Sequence, residues 1–414
     1  MLKGTVVIPS DKSISQRALI LSTLAKGVFK IENFCLSEDC LSTLNVVKNL
    51  GLDITFMDKS TLKVVNNGLK TPDRVLNCNN SGTCMRMMSG VLAGQGFNSV
   101  LDGDASLIKR PMKRVIDPLT MMGAKIESND GYAPLKIKGK ALHGIKYESP
   151  VASAQVKSAI LLASCQAEGE TIFSEPCQSR NHTEIMLKNM GADISFDNNK
   201  IKILKSTLSP QNIKVVGDFS SAAFFIVGAL VVPGSDIVVK NVGLNPTRTG
   251  FLKILKSMGA DIEVLEYNEN FGEPYGDLRV KYSSLKGVTV EGEVIANAID
   301  ELPLLALLGA CATGKTILKD AQELRKKESD RISAIVSEFK KLLINIEEYS
   351  DGFEIEGKQL FVGGVEVDSH NDHRIAMCLH LVSLLCSKDI SIKNSECINI
   401  SFPEFIEMLS NIKY

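Results

Sequence analysis

The sequence has almost no excess of charge of either sign. Its 414 residues include 47 lysines and arginines against 48 aspartates and glutamates, a formal net charge of −1 at pH 7. Proteins that bind nucleic acids usually carry a basic surplus. The balance therefore argues against nucleic acid or another large polyanion as the partner, and any basic clusters are local ones.

Long apolar runs are also missing. No uninterrupted apolar stretch reaches the roughly 18 residues that span a membrane, and the run FFIVGALVVPG at residues 224–234 is short and ends in Pro-Gly. The opening residues, MLKGTVVIPSDKS, lack the apolar segment of a secretory signal peptide. We therefore expect a cytoplasmic protein that is not held in a membrane.

Patterns typical of metal, disulfide and cofactor sites are absent as well. The ten cysteines include no CxxC pair and, with the five histidines, form no cluster at zinc spacing. Cys311 and Cys378 lie in apolar runs, where cysteine behaves as a small hydrophobic residue. No GxGxxG, GxSxG or complete P-loop motif occurs. We expect a reducing compartment, no metal and no cofactor.

A pattern that recurs six times organises the chain. Each copy has a polar opening, an apolar helix-like run and a β-rich segment, and a second helix follows. Four of the second helices end at a glycine before a strand-like segment (LKNLGLDI, LTMMGAKI, LKNMGADI and LKSMGADI), whereas the fifth, FKKLLINI, lacks the glycine. Glycine after a helix adopts the left-handed C-cap conformation at little cost. The copies begin at Asp11, Asn80, Ala152, Asp218, Asp300 and Asp372.

The six units predict an α/β (α+β) fold with two domains of three units each. The first helix of each unit is apolar nearly all round, which is typical of buried helices, whereas the second carries more charge. The strands are too short and interrupted for one doubly wound sheet. We expect buried helices surrounded by sheets, and a domain boundary between the third and fourth units, near NIKVVGDFSS (residues 212–221).

Basic residues stand at or near the helix openings. Helix N-termini bind anions, but a basic side chain there opposes the helix dipole, so its repeated placement indicates function. The alternative for each is that it caps a carbonyl or pairs with a local acid. The pattern favours an anion-binding cleft between two domains. The residues are Lys12, Arg17, Arg86, Arg110, Arg114, Lys157, Arg180, Arg248, Lys326, Lys327, Arg331 and Arg374.

Acidic residues near these positions are candidate acid/base groups. Asp300 precedes an apolar helix, where it serves either as an N-cap or in chemistry. The run ELRKKESDRI (residues 323–332) is expected to open a helix on which Lys327, Glu328 and Arg331 share a face. Its Glu323, Arg325 and Lys326 are expected to be solvated, and Asp330 has no predicted role. Asp372 is a predicted cap.

Nine motifs, in the same order along nearly the whole chain, resemble the 5-enolpyruvylshikimate-3-phosphate synthase (3-phosphoshikimate 1-carboxyvinyltransferase) family of enolpyruvyl transferases. The resemblance implies that residues 10–216 form one domain of three βαβαββ-type repeats. Residues 1–9 and 217–414 form the other, with the active site in the interdomain cleft. The motifs are SDKSISQRALILSTLA, NNSGTCMRMMSGVLAG, DGDASLIKRPM, ASAQVKSAILLA, GDFSSAAFFIVGAL, GLNPTRTG, ELRKKESDRI, NDHRIAM and SFPEF.

The resemblance also implies a reaction. The enolpyruvyl group of phosphoenolpyruvate is transferred to the 5-hydroxyl of shikimate 3-phosphate, with loss of phosphate from a tetrahedral intermediate, on the route to chorismate and the aromatic amino acids. This chemistry needs a base, an acid and cations on two phosphates and a carboxylate. The family further implies no cofactor, a monomer, and a pocket that glyphosate occupies in competition with phosphoenolpyruvate.

Site residues are implied position by position. Lys12, Asp300 and Glu328 are the implied catalytic residues, with Asp300 as proton acceptor from the hydroxyl and Glu328 as proton donor or relay. Shikimate 3-phosphate is expected on Lys12, Ser13, Arg17, Ser153, Ala154, Gln155, Arg180, Asp300 and Lys327. Phosphoenolpyruvate is expected on Lys12, Asn80, Gly82, Arg110, Gln155, Arg331 and Arg374.

The chain departs from the family pattern at three positions and leaves two alternatives. Gln16 stands where histidine is usual, Asn79 where a glycine often stands, and Asn181 where aspartate is usual. One alternative is the enolpyruvyl transferase acting on UDP-N-acetylglucosamine, but Ala105 occupies the place of that family's loop cysteine. The other is an inactive anion-binding relative, although the implied acids and bases are all present.

Overall fold

The computed structural model describes residues 1–197 and 199–413. Among the described residues, five of its thirteen α-helices begin at a side chain that caps the first turn, and helices alternate with strands along the chain. The α-helices are α1 (Lys12–Ser22), α2 (Glu38–Asn49), α3 (Gly82–Ala93), α4 (Lys113–Met121), α5 (Ala154–Ser164), α6 (His182–Asn189), α7 (Phe219–Val231), α8 (Gly250–Ser257), α9 (Val294–Ala298), α10 (Leu304–Cys311), α11 (Arg331–Lys341), α12 (His373–Ser383) and α13 (Phe405–Asn411).

The strands are short, as the interrupted β-rich segments of the sequence predict. They are β1 (Lys3–Val7), β2 (Gly27–Glu32), β3 (Asp53–Phe56), β4 (Leu62–Asn66), β5 (Leu76–Asn77), β6 (Asn98–Asp102), β7 (Lys125–Asn129), β8 (Tyr132–Lys138), β9 (Lys146–Glu148), β10 (Thr171–Ser174), β11 (Ile194–Asp197), β12 (Lys200–Ile203), β13 (Asn212–Lys214), β14 (Asp236–Gly243), β15 (Asp261–Asn270), β16 (Glu273–Lys281), β17 (Thr289–Val290), β18 (Thr316–Leu318), β19 (Ile346–Tyr349), β20 (Gly352–Ile355), β21 (Glu366–Asp368) and β22 (Ser391–Lys393).

Contacts between Cα atoms divide the chain into two units. The expected domain ranges 10–216 and 217–414 include residues 198 and 414, which lie outside the described residues. Unit N comprises Ser10–Val216 and Glu269–Glu273, and unit C comprises Met1–Pro9, Gly217–Asn268 and Pro274–Tyr414.

The sheets of unit N share one topology. Each has four strands, in the orders β13-β2-β4-β3, β5-β6-β8-β7 and β9-β10-β12-β11. The first two strands of each sheet are parallel, and the other pairs are antiparallel. Two of these sheets follow the chain order βαβαββ. The sheet that contains β2 takes its opening strand, β13, from the far end of the unit.

Unit C repeats the arrangement with the same exception in two of its sheets, whereas the third has two strands among the described residues. Its sheets have the orders β1-β14-β16-β15, β17-β18-β20-β19 and β21-β22. Strand β1, at the start of the chain, lies parallel to β14 and is the opening strand of that sheet. In both units, therefore, the first repeat is completed by a strand that is distant in sequence.

Capping aspartates and serines begin the buried helices, as the polar openings predict. The side chains of Asp11, Ser81, Asp218 and Asp372 each accept a hydrogen bond from a backbone N–H of the first helical turn, at 2.7, 3.2, 2.7 and 2.9 Å. The prediction of burial is also confirmed, most clearly in α7, where every residue except Ser221 is buried. The openings thus hold backbone N–H groups at the start of buried helices.

At the fifth opening the structure excludes one of the two alternatives for Asp300, the helix N-cap. The apolar helix α10 begins only at Leu304, after Pro303, and Asp300 lies in the preceding turn. Asp300 is therefore not the helix N-cap. Its carboxylate is bound instead by side chains that follow it in sequence, as described below, and proline is readily accommodated at a helix start.

Glycines end four of the second-type helices as predicted. Gly51, Gly123, Gly191 and Gly259 follow α2, α4, α6 and α8 with φ between +87° and +97°. In the fifth unit Leu343 adopts the same left-handed region, with φ of +64°. The repeat therefore imposes the C-cap geometry even where the sequence lacks glycine.

Helices α3 and α5 meet at a glycine that sets their spacing. A Cβ added at Gly90 would lie 2.0 Å from the carbonyl oxygen of Ala159, so only glycine fits. The close crossing places the beginnings of the two helices, with Gly82 and Ala154, near each other in unit N. The predicted ligand-binding residues of both openings are consequently neighbours.

Candidate active site

The acid/base candidates of unit C gather around Arg331. Its helix α11 begins at Arg331 because Asp330 is the N-cap, accepting a hydrogen bond from the Ser333 N–H at 3.1 Å. Lys327 and Glu328 precede the helix in non-helical backbone. The prediction that Lys327, Glu328 and Arg331 share a helical face is therefore wrong, since the cap at Asp330 starts the helix only after the first two.

Side-chain contacts bring the same residues together by another route. The Arg331 guanidinium contacts the carboxylates of Asp300 at 3.4 Å and Glu328 at 2.6 Å. Its Nε donates to Asp372 Oδ2 at 2.7 Å. The Lys327 ammonium also lies 3.5 Å from Asp300 Oδ1. The Arg331 guanidinium thus binds both candidate proton-transfer groups, Asp300 and Glu328. Asp372 binds its Nε atom.

Burial distinguishes the three carboxylates. The Asp372 side chain is fully buried, whereas those of Asp300 and Glu328 are 13% and 33% exposed. Burial lowers the pKa of Arg331, but the charges of Asp372, Glu328 and Asp300 outweigh it and raise that pKa above its ordinary value. Burial raises the pKa of Asp372, yet the charge of Arg331 outweighs it and lowers that pKa. Asp372 is therefore a permanent counter-ion, and the two more exposed acids are left for chemistry.

Asp372 also connects Arg331 to the turn that carries Arg374. As N-cap of α12 it accepts the Arg374 backbone N–H at 2.9 Å and the Ser329 hydroxyl at 3.1 Å. Two of the three arginines predicted to bind phosphoenolpyruvate are thus linked by one buried aspartate, which binds the side chain of Arg331 and the backbone N–H of Arg374. Sequence reasoning identified the cap and missed this second role, because the contact spans 41 residues.

The other charged residues of the run ELRKKESDRI differ in how exposed they are and in what they pair with. Lys326 pairs with Glu323 at 3.3 Å, and both are substantially exposed, as expected. Arg325 is more embedded than expected: it pairs with Asp330 at 2.7 Å and with Glu348 at 2.9 Å. Asp330, which had no predicted role, thus caps α11 and receives a cation.

A buried charge cluster supports the turn that contains Asp300. Glu301, the next residue, is buried and accepts hydrogen bonds from the Ser220 hydroxyl and from Arg248 Nη1, the latter at 3.1 Å. Arg248 also contacts Asp218 at 3.2 Å. Arg248 therefore follows the structural alternative considered for the basic residues, pairing with local acids.

In unit N, Lys12 and Ser13 lie in the first turn of α1. The Lys12 ammonium pairs with Asp39 Oδ2 at 2.9 Å, and both side chains are partly exposed. The Ser13 hydroxyl and carbonyl accept hydrogen bonds from Arg17 Nη1, one turn later, at 2.5 and 3.1 Å. Asp39 was not predicted from sequence, where nothing in its local pattern marks it.

Arg17 is as deeply buried as Arg331, but its surroundings differ. Its side chain is 1% exposed, and the contacts described for it are to hydroxyls and a carbonyl, with no carboxylate among them. Burial and the charge of Arg180 lower its pKa to about 10. The charges of Asp11, Glu184 and Glu273 raise the pKa of Arg17, but they only partly offset this lowering. A buried guanidinium whose hydrogen-bond partners are neutral suits an anionic ligand.

Three of the residues predicted for phosphoenolpyruvate, Asn80, Gly82 and Arg110, lie together around the start of α3. Arg110 Nη2 donates to Asn80 Oδ1 at 2.6 Å. A Cβ added at Gly82 would lie 2.9 Å from Arg86 Nη1 and 3.6 Å from Arg110 Nη1, so glycine leaves the space between two guanidiniums open. Two cations around a backbone N–H terminus suit a phosphate or carboxylate.

Gln155 is joined to this set through Arg86. Its Oε1 accepts from Arg86 Nη1 at 2.6 Å, and its Nε2 donates to the Thr83 hydroxyl at 2.9 Å. Arg86 was noted in the sequence only as a basic residue near an opening. Ser153 is the N-cap residue of α5 and Ala154 begins that helix, but among the described residues the Ser153 hydroxyl caps no backbone N–H.

Two of the three departures from the family pattern have structural roles. The buried Gln16 amide donates to Thr43 Oγ1 at 3.0 Å and Ser81 Oγ at 2.7 Å. Asn79 adopts a left-handed φ of +47°, which asparagine tolerates nearly as well as glycine. Asn181 is the N-cap residue of α6.

Residues 1–197 and 199–413 contain neither a metal-binding cluster nor a membrane-spanning helix. That part of the chain holds no group of three or more histidines, cysteines, aspartates or glutamates placed to bind a metal ion. Nor does it contain a helix long and apolar enough to cross a membrane.

Similarity to known proteins identifies the family of this chain. The family model described as EPSP synthase (3-phosphoshikimate 1-carboxyvinyltransferase) matches residues 1–409. The chain belongs to the EPSP synthase family. A 3-phosphoshikimate 1-carboxyvinyltransferase of Thermodesulfovibrio yellowstonii is 50% identical over 420 residues, covering 100% of this chain and 97% of that protein. One of Petrotoga mobilis is 51% identical over 420 residues, with the same coverage.

Solved structures agree with the EPSP synthase assignment. An EPSP synthase from Acinetobacter baumannii matches with a TM-score of 0.90 and 43% identity, covering 99% of this chain and 96% of that one. The enolpyruvyl transferase NikO from Streptomyces tendae matches with a TM-score of 0.82 at 16% identity, over 99% and 95% of the chains, which shows the shared fold alone. The predicted fold class and family are confirmed, while the roles of individual residues stay predictions.

Proposed function

We propose that this protein is an enzyme that transfers the enolpyruvyl group of phosphoenolpyruvate to the 5-hydroxyl of shikimate 3-phosphate and releases phosphate. Support comes from the EPSP synthase family membership and from relatives at about half identity named 3-phosphoshikimate 1-carboxyvinyltransferase. The observation that carries the proposal is the pair of partly exposed carboxylates, Asp300 and Glu328, on the single guanidinium of Arg331.

In the proposed reaction Asp300 takes the proton of the 5-hydroxyl while that oxygen bonds to C2 of phosphoenolpyruvate. The methylene carbon C3 gains a proton, for which Glu328 is the donor or relay. The tetrahedral intermediate then loses a proton from C3 as the bond from C2 to the phosphate oxygen breaks. Two acids in different surroundings suit this sequence, since one must accept and the other must give a proton.

The cationic residues have complementary proposed roles. Arg331, Arg374 and Arg110 bind phosphoenolpyruvate, together with Asn80, Gly82 and Gln155. Lys12 contacts both substrates and compensates the charge of the departing phosphate. Shikimate 3-phosphate binds Lys12, Ser13, Arg17, Ser153, Ala154, Gln155, Arg180, Asp300 and Lys327.

This assignment requires residues of both units to act on the same pair of substrates, as expected for a site in the interdomain cleft. We also expect a monomer that needs no cofactor and works in the cytoplasm. Size-exclusion chromatography with light scattering tests the oligomeric state.

Phosphate release tests the proposed function. Purified protein is mixed with phosphoenolpyruvate and shikimate 3-phosphate, and inorganic phosphate is measured over time. Parallel mixtures contain phosphoenolpyruvate alone, or UDP-N-acetylglucosamine in place of shikimate 3-phosphate. We expect release only with shikimate 3-phosphate. Release with the nucleotide sugar, or none with shikimate 3-phosphate, would contradict the proposal.

A further inference from the structure

Two buried hydroxyl groups hold the side of Arg17 that faces helices α5 and α6. Arg17 Nε donates to Thr183 Oγ1 at 2.9 Å. Thr183 Oγ1 lies 2.6 Å from Ser158 Oγ, which donates to the carbonyl of Ala154 at 2.6 Å. Thr183 and Ser158 are fully buried, so water does not compete for these bonds.

The hydrogen bonds that link Arg17, Thr183, Ser158 and Ala154 all have the same donor-to-acceptor direction. A hydroxyl has a single hydrogen to donate. Because Ser158 gives its hydrogen to Ala154, Thr183 must be the donor between the two hydroxyls, and it remains free to accept from Arg17. The chain therefore leads from the Arg17 guanidinium, through both hydroxyls, to Ala154 in the segment predicted to bind shikimate 3-phosphate.

This arrangement leaves one part of the guanidinium for a ligand. Arg17 Nη1 is occupied by the carbonyl and hydroxyl of Ser13. Among the described residues, the contact of Nη2 is a single long one, 3.5 Å to Ser158 Oγ. A guanidinium has five N–H donors in a fixed plane. With Nε and Nη1 held, Nη2 is the group with donors to spare.

An ion pair beside the hydroxyls fixes the two helices to each other. Lys157 and Ser158 are consecutive on α5, and Thr183 and Glu184 are consecutive on α6. The Lys157 ammonium lies 2.8 Å from Glu184 and 2.9 Å from Glu175, all three being buried. Burial raises the pKa of Glu184 and Lys157 partly offsets that rise. The Lys157–Glu184 pair thus sets the distance across which Ser158 and Thr183 bond.

We infer that Thr183 and Ser158 are positioning residues that orient Arg17 so that its Nη2 group meets the anionic shikimate 3-phosphate. The inference rests on the proposed function, since that function supplies the ligand. It goes further by assigning a task to two hydroxyls that do not themselves contact substrate. Their loss should weaken binding of this one substrate and leave the other unaffected.

The test compares three threonine variants. Thr183→Val removes the hydroxyl at nearly constant shape, and Thr183→Ser retains it. Thr171→Val is the matched control, because Thr171 is a buried threonine that accepts from another serine of the same helix, Ser164, at 2.9 Å. KM for each substrate and kcat are measured, with the Kd of shikimate 3-phosphate by calorimetry.

We expect Thr183→Val to raise the KM and Kd for shikimate 3-phosphate by roughly ten- to a hundredfold, as for loss of one hydrogen bond to a charged group. The KM for phosphoenolpyruvate should stay unchanged. Thr183→Ser should restore most of the affinity, and Thr171→Val should behave as wild type. A purely structural role would instead lower the active fraction and affect both substrates equally.

Separate outcomes overturn the inference and the proposed function. Wild-type protein that releases no phosphate with shikimate 3-phosphate contradicts the function. Active wild type with unchanged affinity in Thr183→Val, or the same loss in Thr171→Val, overturns the inference. If circular dichroism shows Thr183→Val to be unfolded, Ser158→Ala decides. Weaker binding of shikimate 3-phosphate alone supports the inference, and wild-type affinity overturns it.

Discussion

Arg331 and Arg17 are both 1% exposed, yet their pKa values are shifted in opposite directions. Three carboxylates around Arg331 raise its pKa, whereas burial and Arg180 lower that of Arg17 to about 10. A buried cation with its own counter-ions is part of the scaffold as much as of the site. The hydrogen-bond partners of Arg17 are neutral, and nearby acids offset the lowering of its pKa only in part, which suits an anionic ligand.

The first prediction concerns the proposed base. Asp300→Asn retains the shape and removes the proton acceptor between Lys327 and Arg331. We expect kcat to fall by about 10²- to 10⁴-fold, the usual contribution of general base catalysis. The KM values should change far less, because no binding cation is lost. Steady-state phosphate release measures both.

Asp330→Asn is the control for that change. Asp330 caps α11 in the same charged run, and asparagine caps a helix as well as aspartate does. Its kcat should remain near the wild-type value. Equal activity of Asp300→Asn and wild type would show that another group is the base.

At the scale of elements, the second-type helices show how one C-cap geometry is achieved by different residues. Four helices use glycine at the left-handed position and α11 uses Leu343. A non-glycine residue there costs roughly 1–2 kcal/mol in backbone energy. Leu343 nevertheless adopts this conformation at the equivalent place in its repeat, between α11 and β19.

The second prediction follows from this strain. Leu343→Gly should raise the free energy of unfolding by up to about 1 kcal/mol, and Tm with it. The relief of backbone strain in the folded state exceeds the cost of the added entropy in the unfolded chain. The side chain is 77% exposed, so little burial is lost. Gly191→Ala should do the reverse, because an added Cβ there meets nothing within 4 Å and the cost is conformational alone. Calorimetry measures both, and a lower Tm for Leu343→Gly would contradict the strain.

The third prediction concerns the cap of α12. Asp372→Asn preserves the cap but removes the charge of the fully buried carboxylate that binds Arg331 Nε. Breaking a buried pair in this way costs about 3 kcal/mol or more, a fall in Tm on the order of 10 °C. The exposed pair of Arg279 with Asp236 is the control, and Asp236→Asn should change Tm little.

The stability that the Asp372–Arg331 pair contributes should be lost as the pH falls. Arg331 outweighs burial and lowers the pKa of Asp372 in the folded state. A group with a depressed folded pKa stabilises the protein above its unfolded pKa, about 3.9 for aspartate, and loses that contribution as pH falls through the folded pKa. The difference in Tm between wild type and Asp372→Asn should be constant above about pH 5 and narrow below about pH 4. A difference that grows on acidification would contradict the lowered pKa.

At the scale of the whole molecule, each unit closes its first repeat with a strand from far along the chain. Unit N contains all the strands of its sheets between residues 10 and 216. Unit C instead needs β1, which pairs with β14 and carries the buried Val6, with the buried Leu2 just before it. Residues 10–216 therefore contain every strand of their own sheets, whereas residues 217–414 lack β1. We expect the first segment to fold independently and the second to be destabilised.

The fourth prediction tests that asymmetry with fragments. Residues 10–216 should fold alone and unfold cooperatively. Residues 217–414 should be less stable than the same fragment with residues 1–9 joined to it by a short Gly/Ser linker, because Asp218 N donates to the Pro9 carbonyl at 2.8 Å and the ends lie together. Circular dichroism melting compares them. Equal Tm with and without residues 1–9 would show that β1 is dispensable.

Much of the fold and family was predictable because the relevant signals are local. N-caps at Asp11, Asp218 and Asp372, glycines after four helices and all-apolar helix faces each depend on residues within one or two turns. Sixfold repetition of those local signals predicts the architecture, and motif order along the chain predicts the family. At Asp300 the local signals left two alternatives, a helix cap or chemistry, and the structure excludes the cap because α10 begins at Leu304 and the carboxylate binds Lys327 and Arg331.

The sequence by itself determined which segments form buried helices, where most of them begin and end, and which family the chain belongs to. Only the tertiary structure decided which strand completes each first repeat, and which partners hold the charged side chains. It assigned Asp372 to Arg331, Asp39 to Lys12 and Thr183 to Arg17, across 41, 27 and 166 residues. Helix caps are encoded by adjacent residues, whereas a buried charge finds its partner only when distant elements pack.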